Sequence, residues 1–489
     1  MKLPFHLKRV KNTFSANMQK IDSHVLDQFS GIVGSRYALT RPEDVAPYVR
    51  EPRGRYIGST PMVLRPGSVQ EVSKILSLAD QLGVAVVPQG GNTGLVAGQI
   101  PDETGNQLVL SISRLNHIRA VDADSNLITV EAGVTLEQVQ EAAKKVARLF
   151  PLDFASRGSC EIGGNIATNA GGLAVLAYGN TRDLVLGLEV VLASGKVWNG
   201  LRSLRKDNTG YDLKSLFVGS EGTLGIITAA VLKLFPQPTE QATALVGFNS
   251  LDQVQLFFNQ IVTGAGSSLT AYEFMPRIGL EFVLRHVPGT RDPFVVPHQW
   301  YVLFELTGHT TDDRMIGLIE SLLDRATNAG VADDAIIAAS MEQRKDLWRI
   351  RETLAETLDR EGGSIKHDIA VPVRSIPDFI EQANKLVEQL IPGIRPVPFG
   401  HYGDGNVHYN LTQPVEADRS NYIAQWDRVN EAVHGLVLKF GGSISAEHGI
   451  GRMKRSELAK VKSDIEMELM RGIKRLLDPR GILNPGEII

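Results

Sequence analysis

A single cysteine, Cys160, stands in 489 residues. That excludes an intrachain disulfide and any metal or iron–sulfur centre built on several thiolates, and it gives no sign of an oxidising compartment. No stretch approaches the ~20 uninterrupted apolar residues that span a bilayer. The chain has no GxGxxG fingerprint of a nicotinamide domain and no Walker loop. With 51 basic and 55 acidic residues the net charge is −4, so no basic field draws the protein to nucleic acid. The first twenty residues carry five Lys/Arg and no acid, without the apolar core of a secretory signal. A short organelle-targeting peptide, a ragged basic terminus and a start at Met18 are the readings left for them.

What is present in excess is glycine: 47 residues, concentrated at 90–98, 158–172, 219–225, 400–405, 441–451 and 481–486. Glycine loses the most backbone entropy on folding, so such clusters mark tight bends or close approach to a ligand. The length suits two or three domains, since single cores rarely exceed about 250–300 residues. Strands are expected at 107–112, 127–133, 183–198 and 224–236, and a helix at 135–150 with Thr135 as N-cap. Pro236 and Pro238 mark the best boundary. Beyond it lie strands 300–306, 365–373 and 397–412 and helices 377–391, 420–440 and 456–477. The division reads 1–40 (extension and helix), 41–238 and 239–489.

"VVPQGGNTGLVAG" (86–98) follows an apolar strand, where bare backbone N–H groups can converge on an anion. "RGSCEIGGNIATNAGG" (157–172) and "GSEGTLGIIT" (219–228) are two further loops of this kind. One such loop alone is more often a tight turn. Three, interleaved with strands, point to a large bound cofactor.

Seven residues separate His401 from His408 in "HYGDGNVHYN", and on one straight strand an odd separation puts side chains on opposite faces. Asp404-Gly405, however, is a favoured pair for a two-residue type I′ hairpin. With that loop, His401 lies directly opposite His408, near enough for both imidazoles to hold one ion, and Asn410 joins the same face. The same residues also read as an ordinary hairpin whose histidines bond neighbouring backbone. "GGSISAEHGIGRMK" (441–454) adds Glu447 as a third ligand that would leave an open coordination position, and His448 as a base. A solvated Glu-His pair at a helix terminus is the alternative there. Arg351 and Lys366 suit an anionic substrate, or are solvated surface cations.

"PQGGNTGLVAG", "GSCEIGGNIATNAGG", "HYGDGNVHYN", "SAEHGIG" and "ILNPG" together, in this order, resemble the FAD-dependent 2-hydroxy-acid dehydrogenases of the vanillyl-alcohol-oxidase/PCMH superfamily. The branch is the one that groups D-2-hydroxyglutarate and D-lactate dehydrogenases with the glycolate oxidase catalytic subunit. The resemblance implies an α+β protein: a two-subdomain PCMH-type FAD-binding domain and an α+β C-terminal cap domain, with the last segment returning to the first. It implies FAD contacts from Pro88, Gln89, Gly90, Gly91, Asn92, Thr93, Gly94 and Leu95. Further contacts come from Ser159, Gly163, Gly164, Asn165, Thr168, Asn169, Gly171, Gly222, Ile226, Ile227 and Asn484. His401, His408 and Glu447 would hold a divalent ion, usually zinc, with Asn410, Arg351 and Lys366 on the substrate and His448 as base. The first loop lacks the histidine through which covalent members attach flavin, so FAD is expected to be non-covalent. One departure stands out: the branch has threonine four residues after the arginine, where this chain has Ala355.

The expected reaction is oxidation of a D-2-hydroxy acid to the 2-keto acid, with the C2 hydride passing to flavin N5. A quinone, an electron-transfer flavoprotein or a cytochrome would take the electrons. An oxidase using O₂, an alkyl-transferring FAD synthase and a non-enzymatic binding protein are the rivals. A cytoplasmic or mitochondrial-matrix location and a homodimer are family-level expectations.

Overall fold

A computed structural model describes residues 21–310 and 312–489. The basic stretch 1–20, with its three readings, lies outside the described residues.

The first half is built on two sheets that share one core. A four-stranded sheet has the order Ala38–Leu39, Val63–Leu64, Gln107–Ser111, Ala85–Gln89, its last three strands parallel. An antiparallel sheet of five has the order Ile118–Asp122, Leu127–Glu131, Ile226–Lys233, Val185–Val191, Val197–Gly200. Helix Val69–Leu82 shows why these residues fold this way. Ser68 caps its first turn by accepting from Glu71 N–H, and Gly83 ends it in the left-handed region at φ 69°. Val72, Ile75, Leu76 and Ala79, at helical spacing, are fully buried. Each of the three larger ones contributes about 1.5–3 kcal/mol relative to exposure.

The second half is an antiparallel sheet running Asp334–Ile337, Glu240–Phe248, Trp300–Gly308, Leu269–Pro276, Arg395–His401, Asn406–Thr412, Ser364–Lys366, with Ile369–Ala370 also on Asn406–Thr412. Alternation along each strand feeds two cores. Val302, Phe304 and Leu306 pack on one face under helices Leu251–Ala265 and Arg314–Asn328. Tyr301 and Leu303 pack on the other, under Arg277–His286 and Met341–Thr357. The second of these faces also carries Val397 and Phe399, and so turns His401 the same way.

Three expected helices differ. The one read at 135–150 runs only Leu136–Lys144, capped by a Thr135–Gln138 box. Ala147 sits at φ 54°, which an α-helix does not admit, and Arg148–Leu149 pairs with Phe235–Pro236. The span 420–440 divides into Arg419–Ile423 and Trp426–Lys439. The span 456–477 divides at Ser463, whose capping box with Glu466 starts a new helix, Asp464–Leu477. The chain then returns to the first half: Val86 N–H donates to Ile482 C=O, and Asn484 N–H to Val86 C=O, both at 2.8 Å. Among the described residues no helix is long and apolar enough to cross a membrane.

Candidate active site

Between the halves lies a cavity of about 850 Å³, at the upper end of the size usual for small-molecule sites. The three glycine loops form one wall. Pro88 to Leu95, Gly163, Gly164, Asn165, Thr168, Gly171, Gly222, Ile226 and Ile227 all line it. Ser159, Asn169 and Asn484 do not; they support the wall from behind. A Cβ on Gly91 would fall 1.8 Å from Ser159 C=O, so this pair of loops touches backbone to backbone. Asn169 Oδ1 accepts from Arg182 N–H at 2.9 Å. Asn484 Nδ2 donates to Gly98 C=O and Glu221 C=O, tying two loops together.

Two observations test whether this wall suits a dinucleotide-sized cofactor. A Cβ on Gly164 would meet nothing within 4 Å, so the backbone there is bare toward the cavity. Glu161 also lines it, with Oε2 buried and unpartnered, and burial pushes its carboxyl up to about 8. A neutral carboxyl is a donor as well as an acceptor, and the site leaves it an opening to use. The wall fits FAD.

The opposite wall is ionisable. His401 and His408 share a face, but by a different register from the expected one. Phe399, not His401, is opposite His408, because the connection is the four residues 402–405. Gly405 supplies the left-handed corner at φ 86°, and Asp404 Oδ1 accepts from Asn406 N–H at 3.0 Å. The shift is two residues, so parity survives and the histidines become diagonal neighbours, ring centroids 5.5 Å apart. Lys366 is the direct partner of Asn410 on the next strand, which sets both on this face. His401, His408 and Glu447 bring one ligand atom each within 4.8 Å of one another. Two imidazoles and a carboxylate in a buried site are a donor set for a divalent transition ion.

Two carboxylates that sequence reading did not single out hold this wall together. Glu273, directly opposite His401 in the sheet, takes His401 Nδ1 at 2.6 Å and Arg351 Nε at 2.8 Å. That orients the imidazole with Nε2 toward Glu447, 3.6 Å away, as an outer carboxylate does for a metal-binding histidine. Asp368, fully buried, accepts from Glu447 N–H at 2.9 Å and His448 N–H at 2.8 Å with one oxygen. Its other oxygen accepts from Asn406 Nδ2 at 3.1 Å, so Asp368 joins segments 401–410 and 443–451. From the first half, Glu221 takes Ile450 N–H and Gly451 N–H, each at 2.8 Å. Gly171 completes the approach, since a Cβ there would lie 2.6 Å from Glu447 Oε1.

Burial works to lower His401, but Glu273 and Glu447 outweigh it and raise it to about 9. Burial pushes Glu447 up to about 7 and His408 well down. His448 is lowered to about 4, chiefly by burial, with Asp368 opposing, so its ring is neutral at pH 7. Burial resists the ionisation of Asp368, yet the protonated forms of His448, Lys454 and His408, with the hydrogen bond from Glu447 N–H, hold it far below the carboxylate range. Arg351 is less free than its position in the sequence suggests: Nε and Nη2 both go to Glu273, and the guanidinium lies 4.9 Å from the Phe399 ring centre. Lys366 Nζ lies 3.0 Å from Asp359.

Two family models match the chain: an FAD binding domain over residues 60–200, and the C-terminal domain of FAD linked oxidases over residues 237–488. The D-2-hydroxyglutarate dehydrogenase of Xanthomonas citri pv. viticola is 39% identical over 449 residues, 92% of this chain and 93% of that protein. The mitochondrial D-2-hydroxyglutarate dehydrogenase of Arabidopsis thaliana is 37% identical over 475 residues, 96% of this chain and 82% of that one. p-Cresol methylhydroxylase shares the fold, with a TM-score of 0.74 at 16% identity over 95% of this chain and 96% of its own. A flavoprotein of the FAD-linked oxidase class is thereby defined, with an FAD-binding domain followed by the oxidase C-terminal domain. The chain belongs to the D-2-hydroxyglutarate dehydrogenase family.

Proposed function

We propose that this protein oxidises a D-2-hydroxy acid to the 2-keto acid, with FAD bound non-covalently by residues 41–238 and the reacting end of the substrate bound by residues 239–489. The reading is carried by one observation: His401, His408, Glu447 and His448 open into the same cavity as the three glycine loops. Oxidation removes a proton from the hydroxyl and a hydride from C2. When bound, FAD supplies the hydride acceptor and a divalent ion, zinc by the family resemblance, the Lewis acid that acidifies the hydroxyl. His401, His408 and Glu447 would hold that ion. His448, neutral at pH 7, takes the hydroxyl proton, and the buried Asp368 carboxylate, 3.6 Å from its Nδ1, stabilises the imidazolium that results. Asn410 and Lys366 orient the carboxylate next to C2, and Arg351 keeps Glu273 against His401.

The test is a panel of D- and L-2-hydroxy acids with a dye acceptor. Activity confined to D-acids, lost to a chelator and restored by zinc or manganese, is the expected result. Protein purified without flavin absorbance, or oxidation indifferent to chelation, defeats the reading. Peroxide release under air would move it to the oxidase class.

A further inference from the structure

Four Arg/Lys side chains line the cavity: Arg157, Arg351, Lys366 and Arg53. The first three are engaged by Asp153, Glu273 and Asp359 respectively. Arg53 is different. Among the described residues its guanidinium makes no ion pair and no hydrogen bond; only its main-chain N–H is bonded.

The loop that carries it is pinned on both sides. Arg50 and Ile57 form an antiparallel bridge, and the fully buried Glu51 accepts from Arg53 N–H at 2.9 Å and Arg55 N–H at 3.1 Å. Asn92 Nδ2, from the first glycine loop, donates to Pro47 C=O and Arg50 C=O at 2.9 and 3.1 Å. Toward the second half, Arg55 places its guanidinium 4.1 Å from the Trp426 ring centre, a cation–π contact. Arg53 is therefore held out between the halves, exposed to solvent and lining the cavity. Lys366 and His448 line the same cavity. A guanidinium with no protein partner is free to pair with a ligand, and its planar fork matches a carboxylate. On the same cavity lies Ala355, whose methyl offers a substrate no donor.

We propose that Arg53 receives the substrate carboxylate remote from C2, making it the residue that selects a dicarboxylic over a monocarboxylic 2-hydroxy acid. The assignment rests on the oxidation proposed above. The flavin-loaded, full-length protein is assayed with D-2-hydroxyglutarate and D-2-hydroxypentanoate, which share a five-carbon chain and differ at C5. In Arg53→Gln the glutarate-to-pentanoate ratio of kcat/KM falls about 10- to 100-fold, mainly through KM. Arg53→Lys, which keeps the charge without the fork, recovers part of it. Calorimetric binding of the 2-keto dicarboxylate weakens by a similar factor, a readout independent of turnover. Flavin content per chain equal to wild type establishes that the variants are folded; should the Gln variant fail there, the Lys variant is compared by the same ratio. An unchanged ratio, with both substrates losing alike, overturns the role of Arg53. Wild-type flavin reduced by neither acid overturns the oxidation reading itself, a result distinguishable from the first.

Discussion

The wall contributed by residues 88–99, 161–173 and 221–227 is largely backbone, whereas the wall contributed by 351–366, 399–410 and 447–448 is largely ionisable side chains. The two are made by different means. On the glycine wall, shape follows from missing atoms: bare Cα positions let Gly91 meet Ser159 and leave Gly164 open. On the ionisable wall, shape follows from buried carboxylates that each hold two or more partners, as Glu273 and Asp368 do. A wall of the first kind is a sum of local conformations. A wall of the second kind is a network, in which changes at contacting sites do not add.

The sharpest division between the walls is expected from His408→Ala. On the function proposed above this variant loses a ligand of the Lewis-acid ion and with it several kcal/mol of transition-state stabilisation, so kcat/KM falls about 10³-fold while flavin content stays at wild type. Flavin loss in that variant would merge the two walls into one unit. Asp368→Asn comes next, at about 10- to 100-fold, by analogy with outer partners of metal ligands. Combined with His408→Ala it costs less than the product of the two, which a double-mutant cycle measures. Glu273→Gln keeps the shape but weakens the hold on His401 and Arg351, for about a 10-fold loss in kcat/KM and lower zinc affinity by chelator competition. Gly164→Ala is the smallest and lies on the other wall. Its methyl meets nothing within 4 Å beyond its own helix, Ile162–Ala167, so the apoprotein is unharmed or stabilised by up to about 1 kcal/mol, while flavin titration shows weakened FAD binding. An altered KM for the hydroxy acid with unaltered flavin affinity would break the division from that side.

The parts of the protein that declare themselves in the sequence are those whose causes are local. Glycine loops, the Thr135 cap and the apolar runs of the strands all depend on residues within a few positions of each other. So did the common face of His401 and His408, although the turn proved two residues longer than the Asp-Gly pair suggested. Glu273 was not legible because it lies 128 residues from His401 and meets it only through sheet pairing. Asp368, read as part of a plain strand, gains its role from the loop 79 and 80 residues further on. The helix read at 135–150 ended early for a similar reason: strand pairing with 235–236 claimed residues that propensity alone assigns to a helix.

The strand Ala85–Gln89, which leads into the first glycine loop, finds its last backbone partners at Ile482 and Asn484. During synthesis that half leaves the ribosome before the second and yet waits for residues 482–484 before its edge is paired. At about 5–20 residues per second, some 400 residues of delay amounts to tens of seconds. Throughout that interval the nascent cofactor wall carries an open strand edge, the kind of surface that invites wrong partners. Completion of the flavin site is thus bound to the synthesis of residues 482–484.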